Sequence, residues 1–134
     1  MKLSDLAVEP KAESEGVPVE ILPGLVVTVR STATPAYRNA QARLLRPLAR
    51  IVAAGMPIPA EKQDEIMARL LAEEVVAGWQ GLADDDGQPI PYSPERAAAI
   101  FRDPACRPFR DLVLEAAGTA ETFRRKRLAD VAKN

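Results

Sequence analysis

The sequence predicts a mainly α fold of the α+β class: a compact multi-helix domain carrying an N-terminal β-hairpin. Three observations carry that prediction. Two short runs rich in β-branched residues flank Pro23-Gly24 in "VPVEILPGLVVTVRS". From residue 34 onward, apolar residues recur at spacings of three and four, the period of a helix with one buried face. Thr34, Ser93 and Asp103 each stand immediately before a proline, which suits an N-cap followed by the first helical position.

Each element follows in chain order. Residues 1–16 are rich in charge, Ser and Gly with scattered Leu and Val, and read as a flexible or loosely docked arm. A hairpin over 17–30 comes next, with strands near 17–22 and 25–30 and Pro23-Gly24 in the middle of a type II turn. The rest, 31–134, reads as helical and forms a single domain with the hairpin. Its first helix starts at Thr34-Pro35 and stops at Gly55, with Leu44, Leu45, Leu48, Ile51 and Val52 as a buried stripe that Pro47 kinks or breaks. The second is expected to run from Pro59 to about Trp79, with Ile66, Met67, Leu70, Leu71, Val75 and Trp79 on one face. Glu61, Glu65 and Arg69 mark the opposite face, with Glu65 spaced to pair with Arg69. Shorter helices are expected over 94–102, from Asp103-Pro104 to about Gly118, and from a Thr119 cap towards the C-terminus.

Composition limits the chemistry. Apolar residues make up 47% of the 134 residues and charged residues 28%, which is enough apolar surface for a core. The formal net charge of −1 gives no long-range field that would attract nucleic acid or an anionic membrane. With no histidine there is no imidazole base, no Ser-His-Asp triad and no zinc site of the usual His-containing kind. The lone cysteine, Cys106, has no partner for an internal disulfide and reads as a small buried apolar residue. No phosphate-cradling glycine loop is present, and a non-catalytic protein with no cofactor is expected. "DDDG" at 84–87 invites a calcium reading, but three contiguous aspartates point in different directions, so it reads as a solvated turn closed by Gly87. "RRKR" at 124–127 fans around its helix and cannot address one groove, so it reads as a solvated helix surface. Phe123, Leu128 and Val131 can pack beneath it. The start lacks a secretory signal and no segment is apolar enough to span a bilayer, so the chain is expected to stay in the cytoplasm.

The least ordinary stretch is "GWQGLADDDGQPIPYSPERA", residues 78–97. Trp79 and Tyr92 flank the acidic turn, and their rings can fold back on each other while prolines 89, 91 and 94 stiffen the return. The same stretch resembles the tail assembly chaperones of long-tailed bacteriophages and prophages, in which "W-x-G" followed by "D-x-x-G-x-P-[IL]-P-[FY]-S-x-E" recurs. Arg96 stands where that pattern often has Asn. The short "MKLSDL" start, the hairpin ending in Arg30 and the helical body are also similar.

The resemblance implies a protein that binds the tape measure protein and tail tube protein, self-associates, and is absent from the finished virion. It also implies a minor, longer product made by ribosomal slippage, for which Ala132-Lys133-Asn134 supplies a suitable site if encoded GCA-AAA-AAC. Expected partner-facing residues are Val27, Val29 and Arg30 at the hairpin edge, Leu70, Val75 and Trp79 on the helix face, and Asp86 and Tyr92 at the turn. For the helix face, core packing and tape measure contact are equally compatible with the sequence. The rival classes are a small DNA-binding regulator using "RRKR" and a structural connector that remains in the particle.

Overall fold

The computed structural model describes residues 1–133. A small antiparallel sheet lies against a set of helices, and the core fills the space between them. The hairpin forms as its sequence dictates: β1 (Val17–Leu22) and β2 (Leu25–Val29) pair with Val17 opposite Val29 and Val19 opposite Val27. Gly24 takes φ +84°, the left-handed value that the third position of a type II turn requires.

A third strand lies beside β2. Strand β3 (Val76–Gln80) pairs antiparallel with β2, placing Val27 opposite Trp79 and Thr28 opposite Gly78. This corrects the expectation of one helix reaching Trp79. The second long helix, α5, spans Ala60–Leu70, widens into a π-type turn over Leu71–Val75, and there gives way to strand. The physical reason lies in "VVAGW": two β-branched residues followed closely by glycine are poor helix formers, and the backbone of Val75 accepts a bond from Arg30 N–H at 2.8 Å. The edge of β2 that the sequence left open is therefore covered from within the chain.

The arm over 1–16 is docked. It forms α1 (Leu3–Leu6) and α2 (Pro10–Glu15). Glu9 N–H donates to the Phe123 carbonyl at 2.8 Å, Arg125 N–H to Ala7 at 3.0 Å, and Ser31 N–H to Glu13 at 2.9 Å. Val8 and Ala12 pack against the core.

The first long helix, α3 (Pro35–Leu45), is capped by the Thr34 hydroxyl, which accepts from Tyr37 N–H at 3.2 Å. Pro47 ends it in a 3-10 turn over Arg46–Leu48, followed by a short α4 (Ala49–Ala53). The expected buried stripe is not buried. Leu44 packs against the core, Leu45, Leu48 and Ile51 are half-buried away from it, and Val52 is 54% exposed.

Helix α6 (Pro94–Arg102) is capped by Ser93 and packs on α5. A 3-10 turn at Pro104–Cys106, capped by Asp103, leads into α7 (Arg107–Gly118), which crosses both hairpin strands. Thr119 is not a side-chain cap; its hydroxyl donates back to the Glu115 carbonyl at 2.6 Å. A 3-10 turn over Ala120–Phe123 and α8 (Arg125–Ala132) complete the described chain. Val27, Val29, Leu70, Leu71, Val75, Phe101 and Val113 are all fully buried and form the centre of the core. Cys106 is a free, half-buried thiol, and burial and the nearby Asp103 carboxylate raise its pKa.

Candidate functional site: the aromatic clasp and its acidic turn

The stretch from β3 to α6 is held shut by its two large aromatics. Trp79 leaves the strand towards the return segment, where its indole N–H donates to the Ile90 carbonyl at 2.8 Å. Tyr92 reaches the other way, and its hydroxyl donates to the Val76 carbonyl at 3.0 Å. The two bonds cross-link strand and return, and the rings meet edge to face with centroids 5.0 Å apart at 83°. Such a pair stabilises by about 0.5–1.5 kcal/mol beyond its buried area. Burial, the largest influence, raises the pKa of Tyr92, so the phenol stays a donor across the neutral range.

The acidic tip is organised by its first carboxylate. Asp84 Oδ1 accepts from Asp86 N–H at 3.0 Å and Gln88 N–H at 2.9 Å, while Gly87 N–H bonds back to the Asp84 carbonyl at 2.9 Å. Gly87 sits at φ +79°. Asp84 is thus committed to the turn's own amides, and Asp85 and Asp86 project into water. Among the described residues, no group of three or more His, Cys, Asp or Glu side chains is placed to hold a metal. A shallow depression of about 440 Å³ lies on the outer side, lined by Asp84, Pro89, Ile90, Tyr92 and Arg96.

At the base of the clasp, Gly81 takes φ +89° against the hairpin turn, where a Cβ would overlap the Gly24 carbonyl oxygen. The hairpin tip and the clasp therefore support each other.

The structure separates the residues that the sequence led us to expect at a partner surface. Val27, Val29, Leu70, Val75 and Trp79 have their side chains in the core, and any partner contact through them would require that core to open. Arg30 and Tyr92 are half-buried, Tyr92 beside exposed Pro91, and Asp86 is exposed.

Sequence reasoning passed over one cluster altogether. Asp64 on α5 is buried and receives Arg107 Nη2 at 3.2 Å and Arg110 Nη1 at 3.0 Å from α7. Those hydrogen bonds, Arg107's first, hold its carboxyl below the usual range. The signal available was the i, i+3 spacing of the two arginines on one face of α7. Nearby, Glu65 pairs with Arg102 and Arg69 with Glu73, replacing the expected Glu65–Arg69 pair.

Most of the basic run is engaged. Arg124 pairs with Glu121 at 2.7 Å, Arg125 with Glu9 at 3.3 Å, and Arg127 donates to the Thr122 carbonyl at 2.8 Å. Phe123 and Leu128 pack beneath it as expected, whereas Val131 is 57% exposed. No helix among the described residues is long and apolar enough to cross a membrane.

A mainly helical α+β domain, the chain falls by comparison with known families among phage- and prophage-encoded proteins. A model of the YdaY prophage protein family matches residues 32–134, and the chain belongs to that family. Comparisons with curated proteins and with solved structures gave no match.

Proposed function

We propose that the chain is a non-catalytic tail assembly chaperone that covers the tape measure protein, recruits tail tube subunits, self-associates while doing so, and leaves before the virion is finished. The observation that carries this reading is the stretch 78–97, whose resemblance to tail chaperones runs through Trp79, Gly81, Asp84, Gly87, Pro89, Pro91, Tyr92, Ser93 and Glu95. Membership of a prophage protein family supports it. So does the physical nature of that stretch: a rigid, cross-linked loop carrying Asp85, Asp86 and part of Tyr92 to the surface loses little entropy when it docks on another protein.

A long helical rod with exposed apolar surface aggregates unless something covers it, so a chaperone should change the rod's solubility. The test is co-expression with the tape measure protein encoded by the same element. The rod is expected in the soluble fraction with the wild-type chain and in the pellet without it. A rod equally insoluble in both cases would defeat the reading. A DNA-binding regulator is the weaker alternative, because three of the four residues in the basic run are already bonded within the chain.

A further inference from the structure

The kinked arm formed by the end of α3, its 3-10 turn and α4 has a composition unlike the rest of the chain. Between Glu20 and Glu61 the sequence contains five arginines and neither an acidic residue nor a lysine. Three of the arginines, Arg43, Arg46 and Arg50, fall at helical spacings of three and four, and Arg46 and Arg50 form no ion pair among the described residues. Beside them runs an apolar face that the chain does not cover. Leu45 and Leu48 are half-buried without reaching the core, Val52 is 54% exposed and Met56 63% exposed. Helix α4 packs appreciably only on the 3-10 turn before it.

A surface complementary in both respects lies elsewhere on the same molecule. Between the free edge of β1 and α7 runs a shallow groove of about 320 Å³ lined by Val19, Ile21, Leu112 and Ala116 together with Glu20, Glu115 and the threonines at 119 and 122. Asp111 precedes Glu115 by one turn of α7. All three acids are exposed, and none forms an ion pair among the described residues. An apolar strip bordered by cations therefore has a counterpart in a shallow groove that combines apolar side chains with threonines and unpaired anions.

We propose that the α3–α4 arm docks in the β1–α7 groove of a second copy of this chain. A nucleic acid would satisfy the arginines and leave Leu48, Val52 and Met56 in water, whereas the groove satisfies both. An arm this short supplies fewer than the roughly 20–30 residues per side of a standard stable interface, so the association is weak and exchangeable. The proposal gives a surface to the self-association contained in the chaperone reading. Its test uses pure protein only, so failure of the interface and failure of rod binding are read separately.

Sedimentation velocity on the full chain should show reversible, salt-weakened association with rising concentration. Val52→Glu in the arm and Glu115→Arg in the groove are both exposed positions, so the circular dichroism of each variant should match the wild type. Each variant alone should raise the dissociation constant about tenfold or more. An equimolar mixture of the two should regain association, because each copy supplies the half that the other lacks. A chain that stays monomeric up to ~1 mM overturns the proposal. So does association indifferent to both substitutions, a mixture that regains nothing, or a monomer whose arm instead binds anionic vesicles or duplex DNA.

Discussion

Gly81 occupies a position that only glycine can fill. Its φ of +89° disfavours any L side chain, and the hairpin turn stands where a Cβ would go. Gly81→Ala is therefore expected to destabilise by about 1–3 kcal/mol, read from the urea midpoint at unchanged slope. Gly87→Ala shares the positive φ but has open space around its Cβ, so it should cost less. Asp64 makes a prediction of a different kind. Its two arginine partners lower its pKa in the folded state, so between the folded and unfolded values the unfolded chain binds more protons and stability rises with pH. The ion cluster's contribution is complete above the unfolded carboxylate pKa of about 3.9 and is lost as pH falls through the lower folded value. The stability gap between wild type and Asp64→Asn should be constant from pH 7 to about 5 and close on further acidification. A gap independent of pH down to complete protonation would show that the carboxylate's charge is not what Arg107 and Arg110 require.

At the scale of elements, local signals were legible where they act over a few residues. The turn at Pro23-Gly24, the caps at Thr34, Ser93 and Asp103, and the break at Pro47 all stand where steric and hydrogen-bonding rules put them. What could not be read was the choice between two periodicities. Val75 and Trp79 are spaced four apart, as on a helix face, yet Trp79 is opposite Val27 in a sheet, because long-range pairing with β2 outweighs a helical pattern that glycine already weakens. The clasp between Trp79 and Tyr92 was readable from residue chemistry even though the element carrying Trp79 was misassigned. Periodicity misled in the opposite sense at α4, where an apolar stripe proved to be a surface. The two cases yield a direct comparison. Phe101→Ala, in α6 and fully buried against the core, should cost about 3–5 kcal/mol. Leu48→Ala, on the arm, should stay within about 0.5 kcal/mol by the same thermal or chemical unfolding measurement.

Across the whole molecule, the chain's beginning is fastened to its end. The segment around Val8 forms a bridge with Arg124, Glu9 donates to Phe123, Arg125 donates to Ala7, and the Glu9 carboxylate meets the Arg125 guanidinium at 3.3 Å. Low hydrophobicity hid this contact from sequence reasoning, since four backbone groups carry no residue-type signal. These bonds close a loop of more than a hundred residues, and loop-closure entropy grows only slowly with length, so a few hydrogen bonds and one partly buried valine suffice to hold it. Val8→Asp places a charge against the core edge and should cost about 1–3 kcal/mol. Hydrogen exchange distinguishes a local fastening from a general loss of stability. The amides of Glu9 and Arg125 should lose protection together in the variant, because one docking event shields both, while the amides of β2 and β3 remain protected at the level set by the core. If the strand amides lose protection in step with Glu9 and Arg125, the N-terminal segment is part of the cooperative core and is not a separately released clamp.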